Sequence, residues 1–187
     1  DHWENVYTTK STDSVSWFQE HADLSLDLIK ATEVGRDAGI IDIGGGASTL
    51  VDDLVAEGYT DLSVLDLSAA ALNTARKRLG AQENKVRWIE ADITQANLPA
   101  KRYDIWHDRA VFHFLTSPAE RAAYAGALAR SVSPGGHAVV GTFAPDGPER
   151  CSGLEVARYD APGLAAALGP AFELVEQIRH EHTTPGG

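Results

Sequence analysis

The stretch that decides the fold of this chain is IIDIGGGAST, at residues 40–49 of 187. A run of β-branched residues ends in an acid, three glycines follow, and Ser48 can then cap a helix. A glycine-rich turn between a strand and a helix lets a ligand approach the backbone closely, because no Cβ atom is in the way. The turn is a first indication of a nucleotide site, although by itself it also fits a turn that only redirects the chain.

Beyond this stretch, short β-branched runs alternate with longer helical segments. That alternation predicts an α/β fold, a doubly wound and mostly parallel sheet with helices on both faces. We predict strands at residues 40–43, 63–66, 86–91, 103–106, 137–143 and 172–181. The sequence stops at a turn signal, Pro185-Gly186-Gly187, so we expect a seventh strand that would pair with the sixth to be missing.

Capping residues mark the predicted helices. Ser68 precedes a helical run that Gly80 would end. The clearest signature is SPAE at residues 117–120, a capping box with proline at the first helical position. The PGG stretch at residues 134–136 is expected to stop that helix and turn the chain into the next strand. A further short helix is predicted at residues 162–168.

The N-terminal segment differs from the rest of the chain. Its aromatic side chains lie among polar residues, as in a lid or flap, and they are Trp3, Tyr7, Trp17 and Phe18. Apolar spacing predicts a helix over residues 15–32. The side chain of Trp17 either packs this helix on the sheet or covers a cationic ligand. We interpret residues 1–187 as one domain, with this flap and helix at residues 1–32 and the core at residues 39–187.

Composition excludes several classes of function. The chain has 16 Lys and Arg against 27 Asp and Glu, a net charge of −11 that repels phosphate backbones and anionic lipid. We therefore expect no nucleic-acid or membrane partner. Cys151 is the single cysteine and cannot form an internal disulfide, and no secretory signal is visible, so we expect a cytoplasmic protein. Because methionine is absent even at position 1, we also expect N-terminal residues to be missing.

Asp42 argues against a dinucleotide as the ligand. The dinucleotide fingerprint would need a glycine at position 49, which is Thr49 here. The carboxylate of Asp42, two residues before Gly44, is unfavourable near a pyrophosphate and suits a cationic ligand that carries an amino group. A nicotinamide-dependent dehydrogenase is therefore disfavoured.

Two more acids follow the next strands. Asp66 ends the second strand, where a carboxylate can accept hydrogen bonds from both hydroxyls of a ribose. Asp92 follows the third strand and can accept from the exocyclic amine of adenine, with Ile93 beside the ring. Because ligands of such sheets bind outside the carboxyl ends of the strands, the three acids face one crevice. Together with Asp42 they favour a positively charged adenosine derivative.

The sequence resembles the class I S-adenosylmethionine-dependent methyltransferases over residues 39–181. The motifs that carry the resemblance are DIGGG at 42–46, VLDLS around Asp66, EADI around Asp92, YDIWHDRAVFHFL at 103–115 and PGGHAVVGTF at 134–143. The resemblance implies a Rossmann-like sheet of seven strands, S-adenosylmethionine as cofactor, S-adenosylhomocysteine as product and methyl transfer as the activity. The implied cofactor-binding residues are Asp42, Gly44, Gly45, Gly46, Asp66, Leu67, Asp92, Ile93, His107 and Trp17.

Within that family, the N-terminal DHW…VY and the HDRAVF stretch are similar to lysine methyltransferases of elongation factors, which carry D-K-G-T-x-D. Asp108 and Arg109 match its first two positions, whereas Ala110 and Val111 replace Gly-Thr and His113 replaces the second Asp. These differences fall on the substrate side. The acceptor is therefore left open between a small molecule and a protein side chain. A sensor or scaffold that binds the same cofactor without catalysis is the alternative from another class.

Three residues near the fourth strand are candidate catalysts, either as a general base or to orient the acceptor. They are His107, Asp108 and His113. Each also has a structural interpretation, as hydrogen-bonded loop residues for the first two and as a buried histidine at the rim of the core for the third. His180 and His182 share one face of the sixth predicted strand, but two imidazoles without further ligands do not make a metal site, so we predict none.

Overall fold

The centre of the fold is a sheet of five parallel strands, whose order across the sheet is β3-β2-β1-β4-β5. The computed structural model describes residues 2–11, 19–109 and 111–182. The strands are β1 (Gly39–Ile43), β2 (Asp61–Asp66), β3 (Val86–Glu90), β4 (Tyr103–Asp108) and β5 (Val132–Val140). The chain runs outward from β1 to β3 and then returns to β4 on the other side of β1. Ligands of such sheets bind at the carboxyl ends of the strands beside this reversal.

Helices cover both faces of this sheet. They are α1 (His2–Thr9), α2 (Asp23–Ala31), α3 (Leu50–Ala56), α4 (Ala69–Leu79), α5 (Pro118–Ser131) and α6 (Ala161–Leu168). Two short 3-10 helices occupy Gly80–Lys85 and Phe112–Phe114. A small antiparallel hairpin is formed by β6 (Arg150–Cys151) and β7 (Leu154–Glu155). The predicted doubly wound α/β fold is confirmed.

The core lies in two layers, one on each side of the sheet, because successive strand residues point to opposite faces. Ile40 and Ile105 pack with apolar side chains of α2 and α3. Ile41 and Trp106 pack on the other face with α5 and α6. Every residue of β1 is buried, which explains the continuous apolar character of that strand in the sequence.

The predicted caps of α4 and α5 are confirmed. The Ser117 hydroxyl accepts a hydrogen bond from the Glu120 backbone N–H at 3.2 Å, and the Glu120 carboxylate accepts one from the Ser117 backbone N–H at 3.2 Å. The Ser68 hydroxyl accepts from the Ala71 N–H, and Gly80 follows the end of α4 with φ +58°. Both serines supply an acceptor that the first turn of a helix otherwise lacks.

Several predicted boundaries shift. Strand β4 continues to Asp108, so His107 and Asp108 lie in the strand and do not follow it. Strand β5 begins directly after α5 and includes the PGG stretch, which forms an irregularity in its pairing with β4 and does not precede the strand. Helix α2 begins at Asp23, later than predicted; residues 12–18, which include Trp17, lie outside the described residues.

The sixth predicted strand, at residues 172–181, is wrong. The described chain supplies no neighbouring strand for this segment, and a strand needs the backbone of a neighbour to pair its N–H and C=O groups. Phe172 packs partly buried against the core, but the apolar side chains after it are exposed, with Val175 at 79% and Ile178 at 51%. Arg179 forms an ion pair with Asp146 at 2.6 Å. Within the described ranges, no group of three or more His, Cys, Asp or Glu side chains is placed to hold a metal ion.

In the part of the chain that the structure describes, every helix is too short or too polar to span a bilayer.

The capping box of α5 provides a test of local stability. Ser117→Ala should lower the free energy of unfolding by about 1 kcal/mol, because the first turn of α5 loses its acceptor. Glu120→Ala should lower it by less, and the double variant should lose less than the sum of the two single variants. Urea unfolding of the four proteins measures this coupling. Additive losses, within about 0.5 kcal/mol, would contradict a reciprocal box.

Candidate active site

The three glycines after β1 bring bare backbone against two carboxylates. Gly44 has φ +69°, a conformation that side chains rarely adopt, and its N–H donates to the Leu65 carbonyl at 2.7 Å. A Cβ atom on Gly45 would overlap the carboxylate of Asp42, and one on Gly46 would lie 2.8 Å from Asp66 Oδ2. The absence of Cβ atoms at Gly45 and Gly46 therefore lets both carboxylates lie directly against the backbone.

Asp66 is fixed between this turn and the start of α4. Its Oδ2 accepts a hydrogen bond from the Gly46 N–H at 3.0 Å, and its Oδ1 accepts one from the Ser68 N–H at 2.9 Å. The residue is buried, with 6% of its surface exposed. Burial raises the pKa of Asp66 to about 6, although both backbone hydrogen bonds lower that pKa. The position suits the ribose role that the resemblance implies.

Asp42 is held from one side only. Its Oδ1 lies 2.7 Å from His107 Nδ1, and His107 Nε2 lies 2.8 Å from the Ser25 hydroxyl on α2. All three residues are buried. Asp42 Oδ2 is also buried, and no group in the described part of the chain donates a hydrogen bond to it. Because an unpaired buried acceptor costs about 1–3 kcal/mol, this atom fits a ligand that brings a donor, such as an ammonium group.

The neighbouring strand ends carry the remaining predicted adenosine contacts. Asp92 Oδ1 accepts from the Thr94 N–H at 2.8 Å and from its hydroxyl at 2.7 Å. Ile93 is buried in the core, and Leu67 is 41% exposed at the tip of β2. The Ala91 N–H donates to the Asp66 carbonyl at 3.0 Å, which joins the two strand ends. The structure thus brings these predicted residues to one edge of the sheet.

Asp108 lies on the opposite face of the sheet from His107, because the two residues are adjacent in β4. Its Oδ2 accepts from the Tyr124 hydroxyl at 2.6 Å and from the Phe112 N–H at 3.0 Å, and its Oδ1 accepts from the Val111 N–H at 2.8 Å. Burial raises the pKa of Asp108 to about 6. These contacts hold the 3-10 turn after β4. They do not place the carboxylate beside His107.

His113, in that 3-10 turn, is buried among aromatic rings. Its imidazole stacks on Phe143 with ring centroids 4.9 Å apart and meets Phe114 edge to face at 4.3 Å. Neither ring nitrogen has a hydrogen-bond partner among the described residues. Burial lowers the pKa of His113 to about 4, so the ring is neutral above pH 5.

Helix α1 crosses the carboxyl edge of the sheet. Glu4 accepts hydrogen bonds from the Ser68 hydroxyl at 2.6 Å and from the Ala70 N–H at 3.2 Å. The ring of Trp3 meets Phe114 at 5.0 Å. The helix therefore joins the start of α4 to the turn after β4.

Sequence reasoning missed two residues of this site. Ser25 and Glu4 contact groups that are 82 and 64 positions away in the chain, so no local motif marks them. The aromatic content of the N-terminal segment was the one usable signal for α1. For Ser25 the only signal was a small polar residue between the apolar positions of a predicted helix.

A family model described as a methyltransferase domain matches residues 40–136, just over half of the chain. The chain therefore belongs to that family. Together with the fold, this match confirms the predicted class I methyltransferase family.

Solved structures and curated proteins extend this comparison. A didemethyltoxoflavin N1-methyltransferase from Burkholderia thailandensis, solved with S-adenosylhomocysteine, superposes with a TM-score of 0.62 at 19% identity, over 88% of this chain and 68% of that one. An amino pentose methyltransferase from Micromonospora echinaspora, with S-adenosylmethionine bound, gives 0.54 at 26% identity, over 79% and 59%. An eEF1A lysine and N-terminal methyltransferase from Mus musculus is 23% identical over 58% of this chain and only 15% of its own length.

The glycine turn at residues 44–46 provides a test of the cofactor site. Gly45→Ala should weaken binding of S-adenosylhomocysteine at least tenfold, because the added methyl group overlaps the Asp42 carboxylate. Gly126→Ala is the matched control, since a Cβ at that position in α5 meets nothing within 4 Å. Titration calorimetry of both variants measures the effect. Equal affinities for the two variants would contradict the assignment of the turn.

Asp66 predicts a pH dependence of binding. Because its pKa is about 6, the carboxylate is protonated below that pH and can no longer accept from both ribose hydroxyls. The dissociation constant for S-adenosylhomocysteine should therefore rise up to about tenfold between pH 7 and pH 5. By linkage, the bound nucleoside should lower the pKa of Asp66, which carboxyl-carbon NMR reports directly. A pKa unchanged by the nucleoside would contradict this role.

Proposed function

We propose that this methyltransferase transfers the methyl group to a small-molecule nucleophile, bound beside the turn after β4. The cofactor side of the proposal is supported by one observation above all. The unpaired Oδ2 of Asp42 faces a backbone turn without side chains, next to a second buried carboxylate. A carboxylate in that position suits the ammonium group and the positive charge of S-adenosylmethionine.

The predicted cofactor contacts follow from this placement. Asp42 accepts from the ammonium group, and the backbone of Gly44, Gly45 and Gly46 lies along the methionine part. Asp66 accepts from the ribose hydroxyls. The adenine lies near three side chains at the ends of β2 and β3, which are Leu67, Asp92 and Ile93. When bound, the cofactor supplies an electrophilic methyl group on a sulfonium that becomes a neutral thioether.

His113 is the proposed base. Its ring is neutral at physiological pH and neither nitrogen has a hydrogen-bond partner among the described residues, so the nitrogen that carries no proton can accept one from the methyl acceptor. The other two candidates have other tasks in this proposal. His107 holds Asp42, and Asp108 holds the turn that carries His113. Alignment of donor and acceptor supplies about 7–11 kcal/mol of barrier lowering without a strong base.

A small acceptor is supported by the cover over the site. Helix α1 crosses the carboxyl edge, and Trp3, Phe114 and Phe143 form aromatic contacts around the His113 turn. The two structural neighbours named above are described as acting on a didemethyltoxoflavin and on an amino pentose, which are small molecules. The similarity to the eEF1A enzyme favours a protein lysine as the second candidate, but only the first two of the five specified positions in the D-K-G-T-x-D pattern are matched here, by Asp108 and Arg109.

The acceptor class is tested with labelled S-adenosylmethionine. The protein is incubated with a panel of amines, thiols, carboxylic acids and phenols, and separately with a cell lysate, and label is followed into small molecules and into protein. Label in small molecules supports the proposal. Label in protein alone would contradict a small-molecule acceptor and show protein methylation instead. Tight binding of S-adenosylmethionine without any methyl transfer would favour the non-catalytic sensor or scaffold.

The role of His113 predicts a separation of catalysis from binding. His113→Gln should lower kcat at least a hundredfold for an acceptor that must lose a proton, which is the range for a general base. The dissociation constant for S-adenosylhomocysteine should stay within threefold. His180→Gln, in the exposed segment after α6, is the matched control and should change neither value. An unchanged kcat in the His113 variant would remove it from the mechanism.

A further inference from the structure

A buried chain of three polar side chains connects α2 to the cofactor side of the sheet. The Ser25 hydroxyl oxygen lies 2.8 Å from His107 Nε2, within hydrogen-bond distance. His107 Nδ1 lies 2.7 Å from Asp42 Oδ1. Their exposed fractions are 7%, 3% and 3%. The order of residues is that of a hydrolytic triad, but the serine is enclosed between α2 and the sheet. It therefore has no access to a substrate.

One placement of the protons satisfies all the hydrogen bonds among Ser25, His107 and Asp42. A neutral His107 with its proton on Nδ1 donates to Asp42 and accepts from the Ser25 hydroxyl at Nε2. Every hydrogen then has an acceptor, and the group keeps the negative charge of Asp42. A doubly protonated ring would neutralise that charge and remove the attraction for a cation.

We propose that His107 and Ser25 are positioning residues that fix the Asp42 carboxylate for recognition of the cofactor's ammonium group. The inference rests on the proposed function of Asp42. The hydrogen bond to Oδ1 restrains rotation of the carboxylate, and Ser25 holds the ring that makes this bond. Oδ2 is thereby kept against the Gly45 turn, where no described group donates to it. The guanidinium of Arg109 also interacts electrostatically with the charge of Asp42.

The competing explanation is a purely structural role, since these three hydrogen-bonded side chains also anchor α2 to the sheet. Helix α2 has other anchors near its start, however. The Ala22 N–H donates to Asp53 Oδ2 at 3.1 Å, and His21 pairs with the same carboxylate at 2.9 Å. The loss of one hydroxyl at Ser25 should therefore leave α2 in place.

Two nucleosides separate the explanations. S-adenosylhomocysteine carries the amino-acid group, and 5′-methylthioadenosine has the same nucleoside and thioether without it. Ser25→Ala should raise the dissociation constant for S-adenosylhomocysteine about threefold and His107→Ala about tenfold. Both variants should bind 5′-methylthioadenosine within twofold of the unsubstituted protein. His107→Asn, whose amide can still donate to Asp42, should recover part of the loss.

Ser131→Ala is the matched control, because that serine is equally buried and its hydroxyl has no hydrogen-bond partner in the described chain. It should bind both nucleosides normally. Equal losses for the two nucleosides, or no loss for either, would overturn the positioning role while the proposed function stands. If the unsubstituted protein binds neither nucleoside, the proposed function fails as well. Thermal unfolding confirms that each variant is folded, and Ser25→Ala provides the test if the histidine variants are not.

Discussion

The structure depends on an unfavourable electrostatic arrangement, in which two carboxylates lie close together at the glycine turn (residues 44–46) after β1. Asp42 and Asp66 bring two buried carboxylates to the same few residues of backbone, and the charge of Asp42 adds to the burial that raises the pKa of Asp66. Buried like charges are unfavourable unless hydrogen bonds or a counter-charge compensate them. Backbone N–H groups compensate Asp66, whereas one oxygen of Asp42 has no donor. Arg109 supplies a positive charge that acts on Asp42, and in the proposed function the ammonium group of the cofactor supplies the missing hydrogen-bond donor.

The pleat of β4 divides the neighbouring polar residues between two tasks. His107 points toward α2 and supports Asp42, and Asp108 points toward α5 and organises the turn that carries His113. The Tyr124 hydroxyl accepts from Trp106 Nε1 at 2.9 Å and donates to Asp108, so this second network extends deep into the core. In the proposed function, recognition of the methyl donor and placement of the acceptor are therefore supported from opposite faces of one strand.

Sequence patterns predicted the parts of the fold that depend on interactions between residues close together in the chain. The alternation of strands and helices, the caps at Ser68 and Ser117, and the acids at the strand tips were all readable, because each depends on residues close together in the chain. His107 and Asp108 were predicted to follow the fourth strand, whereas β4 continues to Asp108, so its pleat places the two side chains on opposite faces of the sheet. The strand at residues 172–181 failed because its apolar pattern gives no information on whether a neighbour is present. The contacts of Ser25 and Glu4 depend on tertiary packing and carry no sequence signature.

The way α1 is attached has a kinetic consequence. None of its residues is fully buried, and its attachments include the Glu4 carboxylate at the start of α4 and the edge of the Trp3 ring on Phe114. Because these contacts bury no residue of α1 completely, they break at a smaller free-energy cost than core packing, and the helix can separate from the sheet without unfolding the core. In the proposed function, exchange of the product nucleoside for new cofactor would proceed through transient release of α1, and turnover would be sensitive to solvent viscosity and to ionic strength.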